Sequence, residues 1–129
     1  MSEGAFSKRL RKGMLAEGAH SDRIENTTQR GTPDIYAYGA WTGWIETKVV
    51  KRNSTVALDS SQALWLIKHC SKGVDAWIVC WHEAHERMYA WHGSEAKGVY
   101  EHGIYAARPR IFSGRDCMRE FGRMISADR

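Results

Sequence analysis

The segment that decides the fold is GTPDIYAYGAWTGWIETKVV, residues 31–50. Its stretches at 34–38 and 44–50 are rich in β-branched and aromatic residues, which favour strands. The glycine-bounded stretch 39–43 between them has the composition of a turn. The segment therefore predicts two antiparallel strands joined as a hairpin.

The hairpin also predicts a cluster of charged side chains. Side chains alternate across a strand, so Glu46 and Lys48 share one face and Thr47 points to the other. Asp34 begins the neighbouring strand, and the return of the chain brings it beside Glu46. Two adjacent carboxylates repel unless a cation neutralises them, and Mg²⁺ prefers such oxygen ligands. With an ammonium group in reach of the same cavity, the set suits phosphodiester hydrolysis.

This cluster has an ordinary alternative interpretation. Glu-x-Lys on a strand is commonly a solvated ion pair of little energetic value. Here the pair lies in an otherwise apolar strand, WIETKVV at residues 44–50. Charges are costly in such a setting, which favours a functional role.

Length and composition limit the class of protein. The 129 residues are enough for one domain of roughly 100–150 residues. Apolar residues at 43% and charged residues at 26% exclude disorder, collagen and coiled coil as the main architecture. The net charge of +4 permits a polyanionic partner. No run is long enough for a membrane span, and three scattered cysteines without a signal peptide predict the cytoplasm.

The rest of the chain adds helices and strands on either side of the hairpin. The order helix, three strands, helix, two strands, helix predicts a mixed α/β domain with a sheet flanked by helices. The predicted elements outside the hairpin are a helix over 3–17, a strand over 22–25, a polar loop over 26–33, a helix over 59–72, strands over 75–81 and 86–91, an irregular stretch over 93–110, and a helix over about 113–126.

Taken together, these motifs resemble a known family. Gly31-x-Pro33-Asp34, a hairpin and then Glu46-x-Lys48 resemble the signature of the PD-(D/E)xK nuclease superfamily. Further segments resemble the VRR-NUC branch and its small phage-type members. These segments are Arg23-Ile24-Glu25, Ser61-Gln62-Ala63-x-Trp65-Leu66, Gly73 and Ala76-Trp77-Ile78-Val79.

The resemblance implies a fold and an activity. The fold would be restriction-endonuclease-like, an α/β fold with a central mixed β-sheet flanked by helices. Residues 1–129 would form a single nuclease domain, with a core over about 3–92 and a C-terminal extension carrying the helix over about 113–126. The activity would be that of a Mg²⁺-dependent DNA endonuclease, with Mn²⁺ able to substitute. A viral member would work in the host cytoplasm.

The resemblance also assigns roles to the site residues. Asp34 and Glu46 would bind the metal, with the backbone carbonyl of Thr47 as a further ligand. Lys48 would orient the attacking water and stabilise charge on the phosphate. Gln62 would project toward the site from its helix. Asp59-x-x-Gln62 is also close to a capping box, so the two interpretations of Gln62 stay open.

A further acidic residue from the first helix is usual in the family, and here the match is loosest. Glu3 lies in the first turn, where capping and the helix dipole alone would explain it. Glu17 lies at the helix C-terminus, where the dipole disfavours a negative charge. Glu25 on the short strand is the preferred catalytic candidate, followed by Glu3.

Basic residues predict the surface that contacts DNA. Arg115, Arg119 and Arg123 recur every four residues and would form one stripe on the last helix. None of these residue patterns is a known base-reading motif, so we expect recognition of shape and phosphates. The complete predicted set is Lys51, Arg52, Lys8, Arg11, Lys12, Arg115, Arg119 and Arg123.

Tryptophan and histidine positions raise two smaller questions. Trp41 and Trp44 flank the hairpin turn and could stack on a base, although packing of the turn is favoured. Trp65, Trp77 and Trp81 are expected in the core. The spacing of Cys80, His82, His85 and His92 matches no zinc pattern.

Two other functions compete with a simple endonuclease. A structure-selective resolvase of Holliday junctions or other branched DNA would need two sites, and therefore a homodimer. A non-catalytic DNA-binding module would keep the fold without needing two carboxylates near phosphate. With no room in the chain for a separate targeting domain, selectivity would come from the fold surface, a dimer or a partner protein.

Overall fold

A mixed six-stranded sheet organises the molecule, and helices lie on both of its faces. The computed structural model describes residues 1–25 and 30–127. Residues 26–29 of the predicted polar loop lie outside this range. The elements are α1 (Glu3–Ala16), β1 (Ala19–Arg23), β2 (Ile35–Gly39), β3 (Gly43–Val50), α2 (Ser60–Ser71), β4 (Ala76–His82), β5 (Arg87–His92), α3 (Ala96–His102), β6 (Arg110–Ser113) and α4 (Cys117–Ala127).

Strand order in the sheet follows the order of the sequence, from β1 to β6. Neighbouring strands are antiparallel except β3 and β4, which are parallel. A parallel pair needs a crossover connection, and α2 supplies it. The predicted hairpin of β2 and β3 is confirmed, with Ile35 opposite Ile45 and Ala37 opposite Gly43.

Two apolar clusters hold the helices on the sheet. On one face, α1 and α4 cover residues such as Ile35, Ile45 and Val79. On the other face, α2 and α3 cover Ile78 and Trp91. The alternation of side chains along each strand divides them between the two clusters.

The first helix follows its prediction closely. Ser2 is the N-cap, and its hydroxyl oxygen accepts a hydrogen bond from the Ala5 backbone nitrogen at 3.1 Å. Phe6, Leu10 and Met14 are fully buried. Their spacing of four residues places them on one helix face, which packs on the sheet.

The first strand was predicted over 22–25 and is instead Ala19–Arg23. Its sequence is mostly polar, and only Ala19 is buried. Pairing with β2 therefore decides its limits, with Ala19 opposite Gly39 and Arg23 opposite Ile35. Local composition carries little of that information.

The C-terminal third departs further from prediction. The stretch 93–110 is not irregular, because it contains α3 between two short 3₁₀ turns and the first residue of β6. The last helix begins at Cys117 rather than Ser113, since β6 pairs with β5 as far as Ser113 opposite Arg87. Phe121 of α4 is fully buried, so α4 contributes to the hydrophobic core.

Helices α1 and α4 cross at very short range. A Cβ atom added to Gly13 would lie 2.8 Å from the carbonyl carbon of Met118, and one added to Gly122 would lie 2.9 Å from the Cα atom of Met14. The two glycines therefore allow the helix backbones to touch. Within the described part of the chain, no helix is long and apolar enough to cross a membrane.

Candidate active site

Asp34 lies where the pairing of the hairpin strands stops. β2 pairs with β3 as far as Ile35 opposite Ile45, and β3 then continues to Val50. The Asp34 carboxylate accepts hydrogen bonds from the Thr47 backbone nitrogen at 3.0 Å and from its hydroxyl at 2.6 Å. The side chain of Asp34 thus replaces the missing strand partner, which fixes it beside the centre of β3.

Glu46 and Lys48 form a buried, closely spaced pair on the same face of β3. Their exposed fractions are only 4% and 7%. The Lys48 Nζ atom lies 3.4 Å from Glu46 Oε2. The pair is not the solvated surface bridge that Glu-x-Lys usually makes, so its cost in desolvation is much greater.

The environment of Glu46 favours its protonated form. Burial, followed by the nearby negative charge of Asp34, raises the pKa of Glu46 to about 8 against the opposing effect of Lys48. Without a divalent cation, the Glu46 carboxyl therefore holds a proton at neutral pH. A cation shared with Asp34 would remove that proton, because it supplies the missing positive charge.

Gln62 serves both of the roles that the sequence left open. Its backbone nitrogen donates to the Asp59 carboxylate at 2.9 Å, and its side-chain oxygen accepts from the Asp59 backbone nitrogen at 3.0 Å. This is a complete capping box at the start of α2. The Gln62 Nε2 atom also donates to Glu46 Oε2 at 3.3 Å. The helix cap and the orientation of Glu46 therefore depend on one amide.

The loop before Asp34 is fitted tightly against α2. Gly31 has a φ of +84°, and a Cβ atom there would lie 2.2 Å from the carbonyl oxygen of Ser61. Steric exclusion of a side chain therefore explains why a glycine occupies this position of the Gly-x-Pro-Asp motif. Arg30, a residue that the sequence analysis did not select, lines a cavity of about 410 Å³ here together with Gly31 and Gln62.

The three acidic candidates lie in different surroundings. Glu3 lies at the start of α1, close enough for its charge to raise the pKa of Glu46. Glu25, the candidate preferred from sequence, follows β1 and is exposed. Glu17 is bound by Arg119 at 3.0 Å and by Arg123 at 3.3 Å, and these partners lower its pKa. The effect of its charge on Glu46 favours Glu3 over Glu25, the reverse of the order taken from sequence.

Comparison with known proteins gives one informative likeness. No family model and no curated protein matches the chain. A solved structure does match, that of Archaeoglobus fulgidus Hjc, a Holliday junction resolvase from an archaeal hyperthermophile. The TM-score is 0.54 at 12% identity, and the match covers 92% of this chain and 98% of that chain.

The chain has the restriction-endonuclease-like fold. The fold prediction, a central mixed sheet flanked by helices, is therefore confirmed. At 12% identity, the likeness concerns the fold alone.

On this fold, the donor set at Asp34 and Glu46 fits a hard divalent cation. Mg²⁺ is commonly bound by one or two carboxylates and keeps several waters. Both Asp34 oxygens accept hydrogen bonds from Thr47, and each carboxylate oxygen has a second lone pair for a metal. Among the residues that the structure describes, no group of three or more His, Cys, Asp or Glu side chains is arranged around one metal position.

Only two of the three arginines predicted to form a basic stripe lie on the last helix. Arg115 precedes α4, which begins at Cys117. Arg119 and Arg123 lie on α4 but bind Glu17 of the α1 C-terminus. Their charges hold two helices together, which a pattern of spacing on one helix does not show.

Other predicted DNA contacts lie on two surfaces near α1. Lys8, Arg11 and Lys12 line a cavity of about 280 Å³ beside β1. Lys12 also lines a groove of about 470 Å³ between α1 and α4, with Arg9 and Arg115. The Arg11 guanidinium already forms hydrogen bonds within the fold, because it donates to the Ser21 hydroxyl at 3.1 Å and to the Ser21 carbonyl at 2.9 Å. Lys51 and Arg52 are exposed directly after β3.

Several of the remaining aromatic and histidine side chains pack or form hydrogen bonds within the fold. Trp41 is buried, and its Nε1 atom donates to Asp75 at 2.8 Å, which confirms its packing at the turn. Trp65 is buried in the core, whereas Trp77 and Trp81 are half-buried against it. Among the zinc candidates, His82 is hydrogen-bonded to the Asn53 carbonyl and His92 to Asp75, while the His85 ring stacks on the His82 ring.

Proposed function

We propose that the protein is a Mg²⁺-dependent endonuclease that hydrolyses DNA phosphodiester bonds by attack of water. The observation that carries this proposal is the buried pair of Glu46 and Lys48 beside Asp34. Burying these charged groups lowers the free energy of unfolding, but the arrangement suits the binding of a cation and a phosphate. The restriction-endonuclease-like fold supports the same conclusion.

Each side chain has a distinct task in this proposal. Asp34, Glu46 and the Thr47 carbonyl would hold Mg²⁺ or Mn²⁺, which supplies Lewis acidity and a more acidic bound water. Lys48, with its Nζ atom 3.4 Å from Glu46 Oε2, donates to a phosphate oxygen and stabilises the charge that develops there. Gln62 holds the Glu46 carboxylate in position. Glu3 or Glu25 would add the further acidic residue.

DNA would be held mainly through its phosphates. Lys51 and Arg52 follow the strand that carries Glu46 and Lys48, and the cations of α1 together with Arg115 line two surfaces beside α1. Such contacts position the backbone without reading sequence. Membership of the VRR-NUC branch, a phage origin and products with 5′-phosphates are parts of this proposal that rest on the sequence resemblance. Work in the cytoplasm is a further part, which rests on the scattered cysteines and the absence of a signal-peptide pattern.

A junction resolvase is the second candidate. The likeness to Hjc, described as a Holliday junction resolvase, favours it. Cutting two strands of a junction requires two sites, so this function would need a homodimer or a partner protein. A DNA-binding module without catalysis is disfavoured, because such a module has no use for the buried Glu46–Lys48 pair.

The test is a cleavage assay on a panel of linear, supercoiled, four-way-junction and single-stranded DNA with Mg²⁺ or Mn²⁺. Glu46→Ala should abolish cutting while DNA affinity measured in Ca²⁺ is largely kept. Glu101→Ala, which removes an exposed carboxylate of α3, is the matched control. Cutting confined to the junction selects the resolvase, and a wild-type protein that cuts none of the substrates refutes the enzyme.

A further inference from the structure

Four aromatic side chains form a continuous row across the sheet surface, here called the aromatic track. Its members are His20 of β1, Tyr38 and Tyr36 of β2, and Trp44 of β3. Successive ring centroids lie 5.9, 6.1 and 5.0 Å apart. At its inner end, the Trp44 ring contacts Trp65 of α2 at 5.5 Å.

The aromatic track lies on the face of the sheet that carries the catalytic pair. His20 is directly opposite Tyr38, and Tyr36 is directly opposite Trp44, so the four share a face. Trp44 precedes Glu46 by two residues on β3, a separation of about 6–7 Å along a strand. The row of rings therefore leads to the candidate active site.

Among the residues that the structure describes, no helix covers the outer part of this row. Tyr38 is 40% exposed, His20 is exposed, and Tyr36 and Trp44 are half-buried. Ile35 and Ala37, which alternate with the tyrosines, are fully buried on the opposite face under α1. Core packing accounts for that apolar face, but it does not require a row of exposed rings on the other.

Charges beside the aromatic track are arranged asymmetrically. Lys8, Arg11 and Lys12 line the cavity that His20 and Tyr38 also line, so cations border the outer end on the α1 side. On the track itself, Asp22 accepts a hydrogen bond from the Tyr38 hydroxyl at 3.4 Å. The phosphates of a bound strand would lie along the cations and away from Asp22. In that position, the bases of the strand could stack on the rings.

We propose that the aromatic track stacks the unpaired bases of a DNA single strand that leads into the Glu46–Lys48 site. A duplex hides the faces of its bases within its own stack, so the rings would discriminate for unpaired DNA. The preferred substrates would then carry a single-stranded segment beside the cut, as flaps, gaps and open junctions do. This deepens the proposed nuclease function and rests on it for the identity of the site.

Binding measurements separate base stacking from phosphate attraction. Fluorescence anisotropy in Ca²⁺ compares labelled oligothymidine with a hairpin duplex of equal phosphate number. Tyr38→Ala should weaken single-strand binding about tenfold and leave duplex binding unchanged. Tyr38→Phe keeps the ring and should bind as the wild type does. Tyr100→Ala, which removes a 51% exposed ring on α3, is the matched control.

A second measurement needs no substitution. Oligonucleotides carrying 5-iodouracil, irradiated with the wild-type protein, should crosslink to Tyr36, Tyr38 or Trp44, all of which lie in the tryptic peptide 31–48. Crosslinks confined to peptides other than 31–48 and 13–23, the second of which contains His20, would overturn the proposal, as would equal losses of single-strand and duplex affinity in Tyr38→Ala.

The two proposals fail in different ways. If the wild-type protein cuts no DNA but crosslinks at the aromatic track, the proposed nuclease function is refuted and the single-strand binding surface is supported. If it cuts DNA while Tyr38→Ala leaves single-strand binding unchanged, the binding role of the aromatic track is refuted and the nuclease function is supported.

Discussion

The buried carboxyl of Glu46 makes the stability of the metal-free protein depend on pH. Its pKa is about 8 in the folded protein, against 4.5 for an ordinary glutamate, because of burial and the charge of Asp34. Below pH 4.5 the group is protonated in both states and costs nothing. As pH rises, the unfolded chain ionises first, so the folded state loses stability until pH passes about 8.

The size of this effect follows from the two pKa values. Each unit of difference is worth about 1.36 kcal/mol, which gives about 5 kcal/mol over the whole interval. That is comparable with the entire stability of many domains, about 5–15 kcal/mol. Glu46→Gln keeps the shape of the side chain and removes its titration. Relative to wild type, the variant should therefore gain up to about 5 kcal/mol between about pH 5 and about pH 9.

Urea unfolding followed by tryptophan fluorescence in EDTA measures this difference. Glu101→Gln, at an exposed position of α3, is the matched control for the loss of one carboxylate. Saturating Mg²⁺ at high pH should restore much of the wild-type stability and little of the variant's. Parallel pH profiles for wild type and Glu46→Gln in EDTA would refute the reasoning.

Three further predictions concern packing and DNA affinity. Gly31→Ala should cost about 2–3 kcal/mol or more in urea unfolding, because its Cβ would lie 2.2 Å from the Ser61 oxygen at positive φ. Gly114→Ala has the same sign of φ with nothing within 4 Å, so a smaller loss there isolates the clash. Phe121→Ala should cost about 3–5 kcal/mol, and a loss below about 1 kcal/mol would contradict its place in the core. Lys12→Ala should lower the magnitude of the slope of log affinity for duplex DNA against log salt concentration by about 0.9. An unchanged slope would show that Lys12 does not contact a DNA phosphate.

The parts of the molecule that sequence predicts well are those with strong local patterns. Alternation along β3 places Glu46 and Lys48 on one face, and the short hairpin places Asp34 beside them. Helix α1 follows from the spacing of its apolar residues and its serine cap. In each case, the determining interactions join residues close in the chain.

The parts that sequence misses depend on contacts between distant segments. Arg119 and Arg123 look like a free basic stripe until α4 is laid against Glu17. Strand β6 is only four residues long and is defined by its pairing with β5. The relevance of Glu3 depends on where the start of α1 lies relative to β3, which no spacing along the chain records.

The crossing of α1 and α4 has a consequence for the order in which the protein becomes functional during synthesis. Every strand pairs with the strand made just before it, so the sheet and its carboxylates can assemble as the chain leaves the ribosome. The groove lined by Arg9, Lys12 and Arg115 exists only after α4 has docked on α1 through Gly13 and Gly122. In the proposed nuclease, the site residues of β2 and β3 would therefore be synthesised well before the groove proposed to hold the nucleic-acid backbone can form.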